Sequence, residues 1–305
     1  MSLRRRCRSP ASNREWGAYT LSGPASLLVN IARPIAVIVL QRKDGEAFSW
    51  IAVLYVGTSG WQYAHWKRVF YPDRLPQRAW LPYFAERFQT VEVNNTFYNL
   101  PETSVFEHWK DNSPPDFIFA LKMSRYLTHL KRLHDPAEPV RRFMTRARAL
   151  GPKLGPVLIQ LPPRFGINLA LLDETLRLFD RPVRVAVEFR DQSWYTDGTR
   201  ALLERHRAAL CLADTPRRKQ PAWRTADWGF VRFHEGRGAH APGYERLVLQ
   251  RWVSRIAETW PRGADVFAYF NNDTAGYAIR DAIVFAELAR AAGLKPTRVP
   301  STDAA

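Results

Sequence analysis

Cysteine is nearly absent: Cys7 and Cys211 are the only two in 305 residues. One lies in an arginine-rich arm and the other inside an apolar run. Neither a disulfide framework nor a thiolate metal site can be built from them, and a reducing, cytoplasmic setting is expected. Long apolar runs are missing as well. The best candidate, Leu27 to Leu40, is broken by Arg33 and Pro34 and falls short of the about 20 apolar residues that a bilayer span needs. A secretory signal does not fit either, because charge sits inside the apolar region and no small-residue cleavage site follows. Acidic residues are scarce, 29 against 45 Lys and Arg, for a net charge of +16. Eight basic and three acidic side chains precede residue 53, so most of the excess belongs to the rest of the chain. Such a field draws anions, small phosphate esters or nucleic acid alike, although a solvated basic surface explains it too.

What is present is a rhythm. Eight short apolar runs, Val53–Gly57, Val91–Asn95, Phe117–Lys122, Val157–Leu161, Val183–Arg190, Ala209–Asp214, Phe230–His234 and Val266–Asn272, end mostly on charged or amide side chains. Between them apolar residues fall three and four apart, as in Val105, Phe106 and Trp109, in Val140, Phe143, Met144 and Ala147, and in Leu169, Leu172, Leu176 and Phe179. These are amphipathic helices. Asn168 is expected to cap the last of them, and Asp135, Pro136 and Glu138 to open the one at Val140 as a capping box. Strands alternating with helices pair in parallel, and eight such units predict a single-domain (β/α)₈ TIM-type barrel over residues 53–293. Residues 1–52 stand outside the pattern and are expected to be an unstructured extension translated from an upstream start codon; 294–305 form a tail.

The motifs resemble those of the YecE-like family, domain of unknown function 72. They are Gly57-Thr58-Ser59-Gly60-Trp61 with Trp66 and Phe70-Tyr71-Pro72, Val91 through Tyr98, Trp109, Lys122, and Thr128-His129. Further on come Leu158 through Pro163, Val187 through Arg190 with Ser193-Trp194, Arg232-Phe233-His234, and Tyr269 through Asn272. The resemblance runs from about residue 54 to about residue 290 and implies the barrel but no reaction. Glu235 stands where Gly is expected after His234, and the amino-terminal extension has no counterpart.

Strand alternation sorts the polar residues independently of that resemblance. The helix ring demands apolar side chains outside, so Glu92 and Asn94, Ile118, Ala120 and Lys122, Leu158 and Gln160, Arg184, Ala186, Glu188 and Arg190, and Arg232 and His234 point inward. Asp214, Asn271, Asn272 and Asp273 are expected to complete the ring. Carboxyl ends of barrel strands are where this architecture keeps its chemistry. Burying these charges is costly unless they pair or meet a ligand, so the choice lies between a self-satisfied ion-pair plug and a ligand site, with the site favoured.

For catalysis, Glu92 and Glu188 are candidates to divide acid and base duties in the field of Lys122 and Arg190, with His234 as an alternative proton carrier. This suits a hydrolase or lyase acting on an anionic or sugar-like substrate. Lys122 as a Schiff-base amine ranks lower, and a divalent metal, Zn²⁺ or Mn²⁺, on Glu92, Glu188, Asp214 and His234 has no motif behind it. Substrate contacts are expected from Thr58, Ser59, Trp61, Asn94, His129, Gln160, Arg190, Trp194, Arg232, Asn271 and Asn272. Tyr63, Trp66 and Tyr195 add aromatic faces at the mouth, and the glycines of the loop His234–His240 with Arg237 offer an oxyanion cradle. The competing function is a non-catalytic nucleic-acid binder that uses the basic surface, including Arg217, Arg218 and Lys219. The oligomeric state is left open.

Overall fold

The computed structural model describes residues 51–301, except 216–219, 238–240 and 261–262. Before these it describes the backbone of four short antiparallel strands, Leu3–Arg8, Glu15–Thr20, Ala25–Asn30 and Val37–Arg42, which form a sheet of their own. Backbone pairing is thus present in part of a segment that the sequence leaves unstructured, and it stays separate from the barrel ladder.

Eight parallel strands close the barrel: β1 (Ile51–Ser59), β2 (Thr90–Val93), β3 (Ile118–Lys122), β4 (Leu154–Gln160), β5 (Val185–Glu188), β6 (Ala209–Asp214), β7 (Gly229–Phe233) and β8 (Ala264–Phe270). Closure comes from β8 against β1, with Tyr269 opposite Gly57 and Phe270 opposite Thr58. Gly57 has a steric reason. A Cβ there would stand 2.3 Å from the Thr90 carbonyl oxygen on β2, so only glycine lets the two strands approach this closely.

The helices are α1 (Trp80–Arg87), α2 (Thr103–Asp111), α3 (Ala137–Ala147), α4 (Leu169–Arg177), α5 (Asp197–His206), α6 (Arg246–Thr259) and α7 (Tyr277–Ala291). Among the described residues none follows β6, so one of the eight expected units lacks its helix. Each helix buries the stripe that its spacing dictates: Phe106 and Trp109 on α2, Val140, Phe143 and Met144 on α3, Leu172 and Leu176 on α4. Burial of each such side chain contributes about 1.5–3 kcal/mol relative to exposure. Asn168 caps α4 as expected, its side chain accepting from Leu171 N at 3.1 Å. The capping box at α3 does not form. Pro136 occupies the N-cap with no side-chain bond, while Asp135 takes a positive φ of 44° and turns its carboxylate to Lys131.

Inside the barrel the side chains lie in layers. Tyr55 stacks on Phe267 at 4.4 Å near the amino-terminal end. Above them, small Ala120, Ala186 and Ala209 make room for Leu158, Phe230 and Tyr269, all buried. The uppermost layer is polar. Beyond α7, Leu54 N donates to Lys295 O and Thr297 N to Leu54 O, so residues 295–297 continue along β1. Among the described residues no helix is long and apolar enough to cross a membrane.

Candidate functional site

Strand alternation carries Ser59, Glu92, Lys122, Gln160, Glu188 and Arg232 to the carboxyl-terminal rim, and each of them is buried. Arg232 is the hub. Its Nε and Nη2 donate to Glu92 Oε2 and Oε1 at 2.8 and 2.7 Å, and Nη1 donates to Glu188 Oε2 at 2.7 Å. Ser59 Oγ adds a bond to Glu92 at 2.8 Å, and Gln160 Nε2 one to Glu188 at 2.8 Å. A fully buried guanidinium with two fully buried carboxylates survives only with this degree of satisfaction. Burial opposes the charge on Arg232, but Glu92 and Glu188 raise its pKa and keep it cationic.

This geometry revises the division of labour expected for the two glutamates. Burial pushes the Glu188 carboxyl up, yet Arg232, His234 and Arg190 together hold it well below the usual carboxylate range, so Glu188 is not the protonated partner of an acid–base pair. Both carboxylates are occupied by Arg232, and neither lines the open cavity. The guanidinium also fills the place that a divalent cation would take between them. Among the described residues no three His, Cys, Asp or Glu side chains converge as metal ligands. Asp214, the fourth residue of that hypothetical ligand set, bonds instead to Tyr244 and Trp252.

Above the plug opens a cavity of about 630 Å³, within the range of small-molecule sites. Its lining is cationic and amide-rich: Lys122, Arg125, Arg190, Asn94, Gln160 and Asn271, with Arg232 at the floor. Tyr63, Phe97, Tyr98 and His129 supply ring surface. Lys122 is 7% exposed, and its Nζ lies 3.9 Å from the centre of the Phe97 ring. Among the described residues it has neither a hydrogen-bond acceptor nor an ion-pair partner. Burial and the nearby charges of Arg232 and Arg190 outweigh Glu92 and Glu188, lowering its pKa to about 8.

The two histidines are held neutral near pH 7. Burial and the charges of Lys122, Arg190 and Arg125 take His129 down to about 4. His234 is lowered, mainly by burial. Its Nε2 is 3.3 Å from Glu188 Oε1 and its Nδ1 is 3.2 Å from Asn271 Nδ2. Nδ1 accepts from that amide, while Nε2 also lies 3.3 Å from Arg232 Nη1, so an acceptor, Glu188, and a donor, Arg232, both face it. Asn271 Oδ1 in turn accepts from Asn94 Nδ2 at 3.3 Å, while Asn94 Oδ1 is buried with no donor. An acceptor left unpaired on a cavity wall is the kind of group that a ligand hydroxyl satisfies.

Several expected contacts lie elsewhere. Trp61 is 3% exposed and packs edge-on against Trp109, and Trp194 is fully buried, stacked on Phe189 and donating to Phe165 O. Large apolar rings under loops gain more from packing than from the mouth. Trp66 is likewise core. Thr58 Oγ1 turns to Gly60 O at 2.7 Å. Asn272, with the opposite parity to Asn271, points out of the barrel to Asp281 at 2.7 Å, and Asp273 accepts from Trp66 Nε1 at 2.6 Å. Of the expected glycine cradle, the Gly236 amide is spent within the loop. Gly236 N donates to Pro242 O, and a Cβ at Gly236 would fall 1.9 Å from Gly243 O. Gly238–His240 and the Arg217–Lys219 loop lie outside the described residues. Sequence reasoning did not place Arg125, Phe97 and Tyr98 at the site: Phe97 and Tyr98 lie on the one-turn helix Asn95–Tyr98 and Arg125 caps the helical turn Tyr126–Leu130, segments beyond the strand ends that are too short for periodicity to mark.

The comparisons agree with the architecture. The UPF0759 protein YecE of Escherichia coli is 31% identical over 114 residues, 37% of this chain and 39% of its own length, so the chain matches about two fifths of that relative. The UPF0759 protein YunF of Bacillus subtilis is 24% identical over 264 residues, 74% of this chain and 91% of its own. Among solved structures, a DUF72 family protein of Thermotoga maritima superposes with a TM-score of 0.69 at 29% identity, covering 78% of this chain and 99% of that one. A DUF72 family protein of Enterococcus faecalis gives 0.65 at 19% identity over 79% of this chain and 95% of its own, a likeness of fold alone. The model of the family described as protein of unknown function DUF72 matches residues 55–304, and the chain belongs to that family.

Proposed function

We propose that the rim cavity is the active site of an enzyme, a lyase or hydrolase, acting on a small hydroxylated anion such as a phosphorylated or carboxylated sugar-like molecule. One observation carries this reading: Lys122, Arg125 and Arg190 line a cavity on whose wall no carboxylate stands among the described residues, because Glu92 and Glu188 are tied up beneath it on Arg232, with Glu188 also reaching Arg190 Nε at 3.3 Å. An anion entering there meets the charges of Lys122 and Arg125, unpaired among the described residues, and that of Arg190, whose Nε is shared with Glu188 Oε1 at 3.3 Å, in a partly desolvated space where attraction is stronger than in bulk water. Asn94, Gln160 and Asn271 suit hydroxyl groups, and the faces of Tyr98 and Phe97 suit the apolar side of a sugar ring. Proton transfer falls to Lys122, whose pKa of about 8 lies near working pH. Glu92 and Glu188 act as positioning residues that fix Arg232.

The test is calorimetric titration of the full chain with inorganic phosphate and with ribose 5-phosphate. Binding that weakens about tenfold or more in Arg125→Gln and Arg190→Gln supports the reading; unchanged binding removes it. Turnover of a panel of sugar phosphates and sugar acids, followed by proton NMR and lost in Lys122→Gln, supports the enzymatic part. A nucleic-acid binder is the second reading, favoured by Tyr98 and Tyr126, 70% and 49% exposed, beside Arg125. It requires affinity for single strands that falls steeply with salt and survives Lys122→Gln.

A further inference from the structure

We propose that Lys122 is a Schiff-base nucleophile and that the substrate class of the cavity is a small anion carrying an aldehyde or ketone. This rests on the anion-pocket reading above and deepens it, with Lys122 as nucleophile in place of the proton carrier named there. The placement of the amine carries it. Arg125 and Arg190 already offer permanent charge to an anion, so a buried lysine beside three arginines is a poor additional anchor. Its ammonium is disfavoured by burial and by the charges of Arg232 and Arg190. What burial next to cations does supply is a free lone pair near neutral pH.

Lys122 Nζ has the room and the company that the step needs. It faces the cavity from the end of β3, its flank rests on the Phe97 ring, and among the described residues no acceptor holds it. An anionic group seated on Arg125 and Arg190 leaves a neighbouring carbonyl to approach Nζ. The amine nitrogen attacks the carbonyl carbon, forming the C–N bond. Both amine hydrogens leave with the carbonyl oxygen as one water, which gives the imine, and uptake of one proton from solvent gives the iminium. His129, neutral and on the same wall, relays protons between nitrogen and oxygen. No oxidant or reductant enters. A general base at this position would do none of this bond making, so the two roles separate experimentally.

The experiment is borohydride trapping on the full chain with pyridoxal 5′-phosphate, a phosphorylated aldehyde, followed by peptide mapping. The expected result is a saturable reduced adduct on Lys122, slowed about tenfold or more by inorganic phosphate and absent in Lys122→Arg. Circular dichroism checks that variant, and Lys122→Gln serves as a second one should Arg fail to fit. Arg190→Gln is expected to raise the half-saturating concentration and, because its charge helps to free the Lys122 lone pair, to move the pH profile of the limiting trapping rate upward, a pair of effects that loss of folding cannot produce. Adducts spread over Lys67, Lys110, Lys131 and Lys295 with Lys122 no faster would overturn the proposal, as would labelling of Lys122 that phosphate does not slow. Calorimetric phosphate binding that persists while Lys122 stays unlabelled removes the imine and leaves the anion pocket standing. Absence of phosphate binding removes both.

Discussion

Replacing Lys122 with Met should leave the barrel as stable or make it more so at neutral pH, even though the residue stands at the centre of the site. The ammonium is 7% exposed and lacks an ion-pair partner among the described residues, and its pKa falls from 10.5 to about 8. At 1.36 kcal/mol per pH unit, this corresponds to about 3 kcal/mol of folding free energy lost while the group is charged. Methionine keeps most of the apolar stem and the contact with Phe97, but it forfeits a cation–π attraction of about 0.5–2 kcal/mol. A net gain of about 1–3 kcal/mol follows. Because the folded pKa lies below the unfolded one, the cost is full below pH 8 and shrinks as pH rises from 8 to 10.5. The gain of the variant must shrink in the same window. Urea unfolding of both proteins at pH 7 and pH 10 measures this, and effects common to both cancel in the difference. A variant less stable than the parent at pH 7, with a difference that does not change with pH, would show Lys122 to be a satisfied structural charge and refute the reasoning.

Glu188→Gln should lower stability by about 3–5 kcal/mol, because Arg232 loses half of its buried compensation, while phosphate affinity stays the same or tightens; loss of phosphate binding with stability unchanged would return the glutamate to the cavity wall. Glu188 is held well below the usual carboxylate range, so its contribution is intact above the unfolded carboxylate pKa and is lost as pH falls through its own lower value. Thermal melts of parent and Glu188→Gln should therefore converge only in strong acid. Asp281, 2% exposed and raised to about 6 mainly by burial, gives the opposite slope: its stabilisation is present below pH 3.8 and lost as pH rises through 6. Asp281→Asn, whose amide oxygen can still accept from Tyr244 N and Asn272, should gain about 2–3 kcal/mol at pH 7.5 and nothing at pH 4; equal melts at both values would refute it. Asn168→Ala removes the α4 cap and should cost about 1 kcal/mol in chemical denaturation, against no change if the cap bond is idle.

Much of this site was legible because a barrel strand has only two faces. Once the helix ring claims Val91, Val93 and Val187, the residues between them can only point inward, and so Glu92, Lys122, Gln160, Glu188 and Arg232 were assigned to one layer from sequence. Pairing was not legible. Arg232 lies 140 residues from Glu92 and 44 from Glu188, and nothing local says that one guanidinium serves both. Parity also fails where strands end. Asn271 and Asn272 read as twin site amides, but only the first continues the inward alternation of β8. The wall residues Phe97 and Tyr98 on the helix Asn95–Tyr98, and Arg125 before the helical turn Tyr126–Leu130, sit in segments too short for a period to show. Indoles mislead for a physical reason: Trp61 and Trp194 have the surface to stack on a ligand, but burying that surface under the loops is worth more.

The proposed function turns on the positive charge of Lys122 and Arg125, which no carboxylate pairs among the described residues, whereas Arg190 already shares Glu188 with Arg232. A crystal of the full chain soaked in inorganic phosphate tests it most directly. The expected result is phosphate density in the cavity, with its oxygens within hydrogen-bond distance of the Arg125 and Arg190 guanidinium groups and the Arg232 plug undisturbed. An empty cavity at saturating phosphate, or Lys122 and Arg125 turned to carboxylates of the protein itself, would rule it out.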